Sequence, residues 1–139
     1  MVKLLAGSKG TGKTKKLIEM ANASIKTTDG HIVFIDDDHR RIFDLHYDIR
    51  FVETRDYPLD NYKEFIGFLY GILSQDSDIQ EIFIDGLHNM LSSIDINGIE
   101  LLVERLKELS VTASVDFILS VSGAYDALPE SLKELVIFH

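Results

Sequence analysis

The chain has 139 residues, of which 45% are hydrophobic and 27% are charged, as in an ordinary soluble globular domain. This length predicts a single domain, residues 1–139, that buries one hydrophobic core without disulfide or metal support. The absence of cysteine excludes zinc-ribbon, iron–sulfur and thiol chemistry and favours a cytoplasmic location. Because no apolar run approaches the roughly 20 residues that cross a bilayer, we expect no membrane insertion.

The net charge of −9 is distributed unevenly along the chain. The first 28 residues contain six basic residues and one acidic residue, whereas the remainder contains eight basic and twenty-two acidic residues. Nucleic-acid binding needs a broad basic face, and here the lysines cluster around one short segment instead. We therefore expect a small anion as the ligand and no nucleic acid as a partner.

Strands and helices alternate along the predicted chain. Apolar runs rich in β-branched residues predict six strands: Val2–Ala6, His31–Ile35, Arg50–Glu53, Glu81–Asp85, Val115–Val121 and Leu135–Phe138. Helical spacing of apolar residues predicts three helices, around residues 17–25, 62–72 and 97–109. Asn97 and Glu100 form a capping-box pattern for the third helix, and Gly67 and Gly71 predict close packing of the second helix against the sheet.

The predicted strands are continuously apolar, which is typical of strands buried on both faces. The fold class is therefore α/β, with three layers: a mostly parallel sheet of five to six strands and helices on both faces. Ligands of such sheets bind beyond the carboxyl ends of the strands. The residues that follow these strands are unusually polar, so we expect the functional site there.

The first strand leads into an eight-residue segment that fits the pattern G-x-x-x-x-G-K-S/T and is followed by a helix. The segment consists of Gly7, Ser8, Lys9, Gly10, Thr11, Gly12, Lys13 and Thr14. Glycines at these positions allow successive backbone N–H groups to point at phosphate oxygens, beside the positive end of the helix dipole. Lys13 is then expected to reach the β and γ phosphates, and the Thr14 hydroxyl to bind Mg²⁺. The alternative, a glycine-rich turn without a ligand, requires neither Lys13 nor Thr14.

This segment resembles the Walker A motif of the P-loop nucleoside triphosphatases. The stretch Glu81–Asp85 is similar to the second motif of that family, and the resemblance implies that Asp85 holds magnesium through water. An aspartate before Gly86 also suits an ordinary strand-end turn. The guanine-reading signature Asn-Lys-x-Asp is absent, so ATP with Mg²⁺ is the default ligand.

The strand at Val115–Val121 resembles the sensor strand of the RecA-like branch of that family. The resemblance implies that Ser120 faces the γ phosphate, although a small residue near a strand end is an equally good interpretation. No long arginine-bearing lid, such as nucleotide kinases of the other branch carry, occurs between Ile94 and Ser114. The RecA-like branch is therefore favoured.

Many hydrolytic members of the family place a water-activating glutamate directly after the magnesium aspartate, where this chain has Gly86. Other members draw the acid from the end of the second strand, and Asp36, Asp37 and Asp38 are the candidates here. The competing interpretation is a solvated acidic loop, or a cap for a helix that begins near His39. Arg40 and Arg41 are candidates for phosphate or base contacts, or ordinary surface arginines. The five histidines lack the spacing of zinc ligands.

Three functions compete. The first is an ATP-binding protein with slow or partner-dependent hydrolysis, whose loops at residues 36–41 and 86–97 change shape for a protein partner. The chain resembles, over its whole length, short bacterial P-loop proteins labelled twitching-motility ATPases. Nothing in this sequence matches the additional N-terminal domain or the acidic and histidine boxes of the motility motors. The second is a small kinase resembling thymidine kinase, for which Ser122–Pro129 is similar but the glutamate and zinc-binding cysteines are lacking. The third is a degenerate scaffold, which intact Lys13 and Thr14 disfavour.

Overall fold

A computed structural model describes all residues, 1–139. The six strands are β1 (Val2–Gly7), β2 (His31–Asp36), β3 (Arg50–Glu53), β4 (Ile79–Ile84), β5 (Asp116–Ser122) and β6 (Val136–Phe138). The five helices are α1 (Lys13–Ser24), α2 (Tyr62–Ser74), α3 (Leu87–Met90), α4 (Ile96–Ala113) and α5 (Glu130–Lys133). Short 3₁₀ turns occur at Ile42–Asp44 and Tyr125–Ala127. All six predicted strands and three predicted helices are present, with ends displaced by a few residues.

All six strands lie in one sheet in the order β3-β2-β4-β5-β1-β6. Every neighbouring pair is parallel, so the sheet is wholly rather than mostly parallel. The strand β5 lies between β1 and β4 and therefore separates the strand that leads into the Gly7–Thr14 segment from the strand that precedes Asp85. The expected α/β class with a six-stranded sheet is confirmed.

Side chains alternate between the two faces of the sheet and build a core on each. Leu4 and Ala6 of β1 enter a cluster of 25 buried apolar residues, whereas Leu5 enters a cluster of 10 on the opposite face. Helices α2 and α4 cover the larger cluster, and α1 covers the smaller one together with Leu45 and Ile49. The result is three layers, with helices on both faces as expected. No helix is long and apolar enough to cross a membrane.

The capping box predicted for α4 is wrong. The cap is Asp95, two residues earlier, whose carboxylate accepts a hydrogen bond from the Gly98 backbone N–H at 2.8 Å. Asn97 and Glu100 therefore lie inside the helix. Asp and Asn are equally favoured at this position, so residue type alone does not distinguish Asp95 from Asn97 as the cap.

The close packing predicted for Gly67 and Gly71 of α2 is also wrong. Both glycines are exposed, and a Cβ atom added at either would meet no atom within 4 Å. The buried face of α2 instead carries Phe65, Ile66 and Leu69. Since residues 67 and 71 are four apart, they share the opposite, solvent-facing side of the helix.

Candidate nucleotide site

The loop between β1 and α1 has a backbone shape that requires glycine. Gly7, Gly10 and Gly12 have φ values of 141°, 86° and 89°, which side-chain-bearing residues rarely adopt. A Cβ atom at Gly7 would also collide with the Thr11 hydroxyl. Gly12 caps α1 without any side-chain hydrogen bond. The first backbone N–H groups of α1 are therefore not capped by a side chain and remain free for an anion.

Neighbouring backbone holds this loop in place. The Gly7 N–H donates to the Gly123 carbonyl at 2.9 Å, and the Gly123 N–H donates back to the Gly7 carbonyl at 3.2 Å. Within the loop, the Thr11 hydroxyl donates to the Ser8 carbonyl at 2.8 Å. The loop is thus tied to the end of β5 by a reciprocal pair of backbone hydrogen bonds.

Lys13 folds back over the loop and donates a hydrogen bond from Nζ to the Gly7 carbonyl. Burial lowers the pKa of Lys13, and the charge of Asp85 opposes part of this effect. A partly desolvated ammonium group interacts more strongly with a second anion than an exposed one does. Lys13 therefore presents a partly buried cation at the Gly7–Thr14 loop, where it could bind an anion.

Thr14 and Asp85 are brought together although they are 71 residues apart in the chain. The Thr14 hydroxyl donates to Asp85 Oδ2 at 2.7 Å, and the Ser120 hydroxyl donates to Asp85 Oδ1 at 2.5 Å. Asp85 is only 7% exposed, so these hydroxyls supply the partners that burial of a carboxylate requires. Ser120 lines the cleft, and its hydroxyl is directed at Asp85.

These groups fit a magnesium ion. Mg²⁺ prefers hard oxygen ligands and is usually bound by one or two protein oxygens together with waters and substrate phosphates. The Thr14 hydroxyl, at the start of α1, and the Asp85 carboxylate both offer oxygen atoms as metal ligands, and these atoms lie within hydrogen-bond distance of each other. The three residues Thr14, Asp85 and Ser120 therefore form a site that would accept this ion beside the phosphate loop.

Asp36, at the end of β2, is a second buried carboxyl group in the same region. It is 5% exposed, and its Oδ1 accepts the Asp37 backbone N–H at 2.7 Å. Burial raises the pKa of Asp36 to about 8, and hydrogen bonding to the Asp37 side chain and the charge of Asp85 add to the rise. In the ligand-free protein Asp36 is thus mainly protonated at neutral pH.

The other two candidate acids differ from Asp36 in their surroundings. Asp37 does not line the cleft, whereas Asp38 lines it and accepts a hydrogen bond from Arg40 Nε at 2.7 Å. No helix begins near His39, because the chain forms only a 3₁₀ turn at Ile42–Asp44. The capping interpretation of these aspartates is therefore wrong, while their catalytic role stays a prediction.

Gly86 follows Asp85 with a φ of 68°. A Cβ atom at this position would lie 2.7 Å from Asp36 Oδ1 and would also collide with Asp37 Oδ1. The carboxyl groups of Asp36 and Asp37 thus occupy the space where a side chain at position 86 would begin. A glutamate at this position would require both carboxyl groups to move.

The polar cleft formed by these residues has a volume of about 590 Å³, within the range of small-molecule sites. It lies at the carboxyl ends of β1, β2, β4 and β5, as expected for a parallel sheet. Its lining residues are almost all polar or charged: Lys9, Gly10, Thr11, Gly12, Lys13, Thr14, Lys15, Asp36, Asp38, Arg40, Arg41, Asp85, Gly86, Leu87, His88, Asn89, Ser120 and Ser122. Arg40 and Arg41 also line the cleft, whereas the sequence did not distinguish a site position from an ordinary surface position for them.

His88 is a cleft residue whose role the sequence did not indicate. Its Nε2 accepts the backbone N–H of Ser122 at 3.0 Å, so the other ring nitrogen carries the proton in the neutral imidazole. Burial lowers the pKa of His88, and the positive charge of Lys13 lowers it further. His88 therefore links the segment after β4 to the end of β5 as an uncharged side chain. The only feature of the sequence that could have indicated His88 is its position shortly after the end of a predicted strand, two residues beyond Gly86.

Comparison with known proteins supports the fold assignment and gives no information on the chemistry of the site. No protein-family model matches the sequence, and no curated protein matches it. Among solved structures, the chain is similar to a KaiC-like protein from the hyperthermophilic archaeon Pyrococcus horikoshii, with 17% sequence identity and a TM-score of 0.68. The similarity covers 96% of this chain and 67% of that chain. The chain therefore has a three-layer α/β fold of the RecA-like type.

Proposed function

We propose that this chain is a P-loop protein of the RecA-like branch that binds ATP with Mg²⁺ and hydrolyses it slowly or only with a partner. The observation that carries the proposal is the convergence of Lys13, Thr14 and Asp85 on one cleft beside a loop whose glycines need their left-handed conformations. A structural turn requires none of these three side chains. The match of Gly7–Thr14 to the Walker A pattern supports the same conclusion.

Each part of the triphosphate finds a partner in this arrangement. The backbone N–H groups at the start of α1 and Lys13 are suited to the β and γ phosphates. Thr14 and Asp85 would hold the metal ion, which when bound neutralises phosphate charge and orients the terminal group. Ser120 positions Asp85 through its 2.5 Å hydrogen bond.

Slow hydrolysis follows from the acids that remain. Gly86 supplies no carboxylate. As its substitute we propose Asp36, because this residue is buried, lines the cleft and lies close to Gly86. A protonated carboxyl group cannot accept a proton from water, and Asp36 holds its proton at neutral pH in the ligand-free protein. A positioned general base contributes about 10²–10⁴-fold in rate, so turnover well below about 1 per second is expected.

Slow hydrolysis suits a nucleotide-dependent switch, because the bound triphosphate persists long enough to hold one conformation. The loop at residues 36–41 contributes cleft residues, and so does the segment at residues 86–97, which forms the short helix α3 and the start of α4, so a bound triphosphate would contact both. A ligand shifts a conformational equilibrium only through contacts that differ between the states. Such contacts would let these two loops signal the nucleotide state to a protein partner.

Phosphate release under saturating Mg²⁺–ATP tests the catalytic part of this proposal. Wild-type turnover should be slow, and Asp36→Asn should lower it further while leaving ATP affinity nearly unchanged. Asp37→Asn and Asp38→Asn serve as matched controls, since each removes one carboxylate from the same segment. Rapid turnover that survives all three replacements would contradict both slow hydrolysis and the choice of base. Addition of thymidine in parallel reactions distinguishes hydrolysis from transfer to a nucleoside.

A further inference from the structure

The end of β5 extends beyond its neighbour β4. The strand β4 ends at Ile84, and the last register pair between the two strands joins Ile84 to Leu119. The strand β5 continues to Ser122, where it is paired with β1 alone. His88 Nε2 accepts the Ser122 backbone N–H at 3.0 Å. A histidine side chain thus supplies the acceptor that a longer β4 strand would otherwise offer.

The imidazole of His88 is held in place by the core. His88 lies on α3, where Leu87 and Met90 are 1% and 9% exposed and belong to the larger apolar cluster. Burial lowers the pKa of His88, and the charge of Lys13 lowers it further. The ring is therefore neutral at pH 7, and only the neutral ring has a nitrogen that accepts a hydrogen bond.

The residue that follows Ser122 makes the contacts that hold the Gly7–Thr14 loop. The Gly123 N–H donates to the Gly7 carbonyl, and the Gly7 N–H donates back to the Gly123 carbonyl. The same Gly7 carbonyl accepts the hydrogen bond from Lys13 Nζ. A continuous path of short contacts therefore runs from the imidazole of His88 through the end of β5 to the ammonium group of Lys13.

We propose that His88 is a positioning residue for nucleotide binding, which fixes the end of β5 and, through Gly123 and Gly7, the place from which Lys13 meets the phosphates. The inference rests on the proposed function, because it concerns the same loop and the same lysine. It goes further by assigning a role to a residue outside the Gly7–Thr14 loop and the metal ligands. In this role the acceptor atom of position 88 matters, and the aromatic ring does not.

Two substitutions of His88 separate the acceptor atom from the ring. His88→Phe keeps an aromatic ring but has no acceptor, whereas His88→Gln lacks the ring but has an amide oxygen that can accept the Ser122 N–H. His46→Phe is the matched control. The Nδ1 atom of His46 also accepts a backbone N–H, that of Asp48 at 3.1 Å, and His46 lies outside the cleft.

Hydrogen exchange of individual backbone amides, measured by NMR without nucleotide, tests the first part of the path. His88→Phe should exchange the Ser122 and Gly123 amides about two- to tenfold faster than wild type, as expected for the loss of one hydrogen bond. His88→Gln and His46→Phe should exchange both amides at nearly the wild-type rate. Unchanged exchange in His88→Phe would overturn the inference, because it would show that His88 does not hold the end of β5.

Calorimetric titration with Mg²⁺–ATP tests the effect on binding. Kd should rise about three- to tenfold in His88→Phe and stay within about twofold of the wild-type value in His88→Gln and His46→Phe. Titration far below the melting temperature reports on folded molecules, so a mere loss of stability would leave Kd unchanged. A wild-type Kd in His88→Phe, or an equally raised Kd in His88→Gln, would overturn the inference. Absence of binding by the wild-type protein would instead refute the proposed function itself.

Discussion

Replacement of Asp36 by Asn should make the stability of the ligand-free protein depend less on pH. Asp36 is buried, and its pKa is raised from 3.8 to about 8 in the folded protein. The folded state therefore holds this proton more tightly than the unfolded state does. The resulting stabilisation is complete below pH 3.8 and is lost as the pH rises toward 8.

The size of the effect follows from the separation of the two pKa values. Between them, stability falls by about 1.4 kcal/mol for each pH unit, so the loss reaches roughly 4 kcal/mol at pH 7. Asn cannot ionise but keeps an oxygen that can accept the Asp37 N–H bond. The difference in free energy of unfolding between Asp36→Asn and wild type should thus shift in favour of the variant, by up to this amount, between pH 4 and pH 7.

Urea denaturation at pH 4, 5, 6, 7 and 8, without nucleotide and with a chelator present, measures this difference. Wild type should lose stability with rising pH more steeply than Asp36→Asn, and the exposed control Asp29→Asn should follow the wild-type profile. Parallel profiles for wild type and Asp36→Asn would refute the account, because they would show that burial does not hold the proton on Asp36.

Three further predictions concern the metal ligand, the position after it and the core. Asp85→Asn should reduce ATP affinity in the presence of Mg²⁺ more than in its absence, measured by calorimetry with circular dichroism to verify folding; equal losses would count against a metal role. Gly86→Ala should destabilise the fold by about 1–3 kcal/mol because position 86 has a φ of 68° and a Cβ there would collide with the carboxyl groups of Asp36 and Asp37. Gly86→Glu should not accelerate phosphate release, and faster release would show that this position can hold a working glutamate. Phe34→Ala should cost about 3–5 kcal/mol in urea denaturation, since Phe34 is fully buried and stacks with Phe51 and Phe83 at 6.4 and 6.3 Å; a loss below 1 kcal/mol would contradict the described core.

The strands and long helices could be predicted because their signals are local. The run Arg50–Glu53 forms β3 with the predicted bounds, and the apolar spacing of residues 99–109 marks the buried face of α4. Helices α3 and α5 have four residues each, which is too short for a periodic pattern to appear. The tight loop between β1 and α1 could be predicted in the same way, because its left-handed conformations fall on Gly7, Gly10 and Gly12.

The remaining features depend on contacts between distant segments. The raised pKa of Asp36 arises mainly from burial, with contributions from Asp37 and from Asp85, which follows the neighbouring strand β4. Burial depends on the packed fold, so the acidic sequence around Asp36 alone does not predict the shift. His88 meets Ser122 only because the ends of β4 and β5 are adjacent in the sheet. Arg40 reaches the cleft through the path of a loop that lacks regular structure, and sequence alone gives no rule for such a path.

The central claim is that the Gly7–Thr14 loop binds Mg²⁺–ATP through Lys13, and the ligand-induced shift in melting temperature tests it most directly. At about 100 times the dissociation constant, a ligand stabilises the native state by roughly 2.7 kcal/mol. Lys13 also donates a hydrogen bond to the Gly7 carbonyl, so its loss could change the melting temperature without any ligand. The shift caused by ATP is therefore measured within each protein, and Lys26→Ala serves as the charge-matched control. The account predicts a clear shift in wild type and Lys26→Ala and almost none in Lys13→Ala; an equal shift in all three proteins would contradict it.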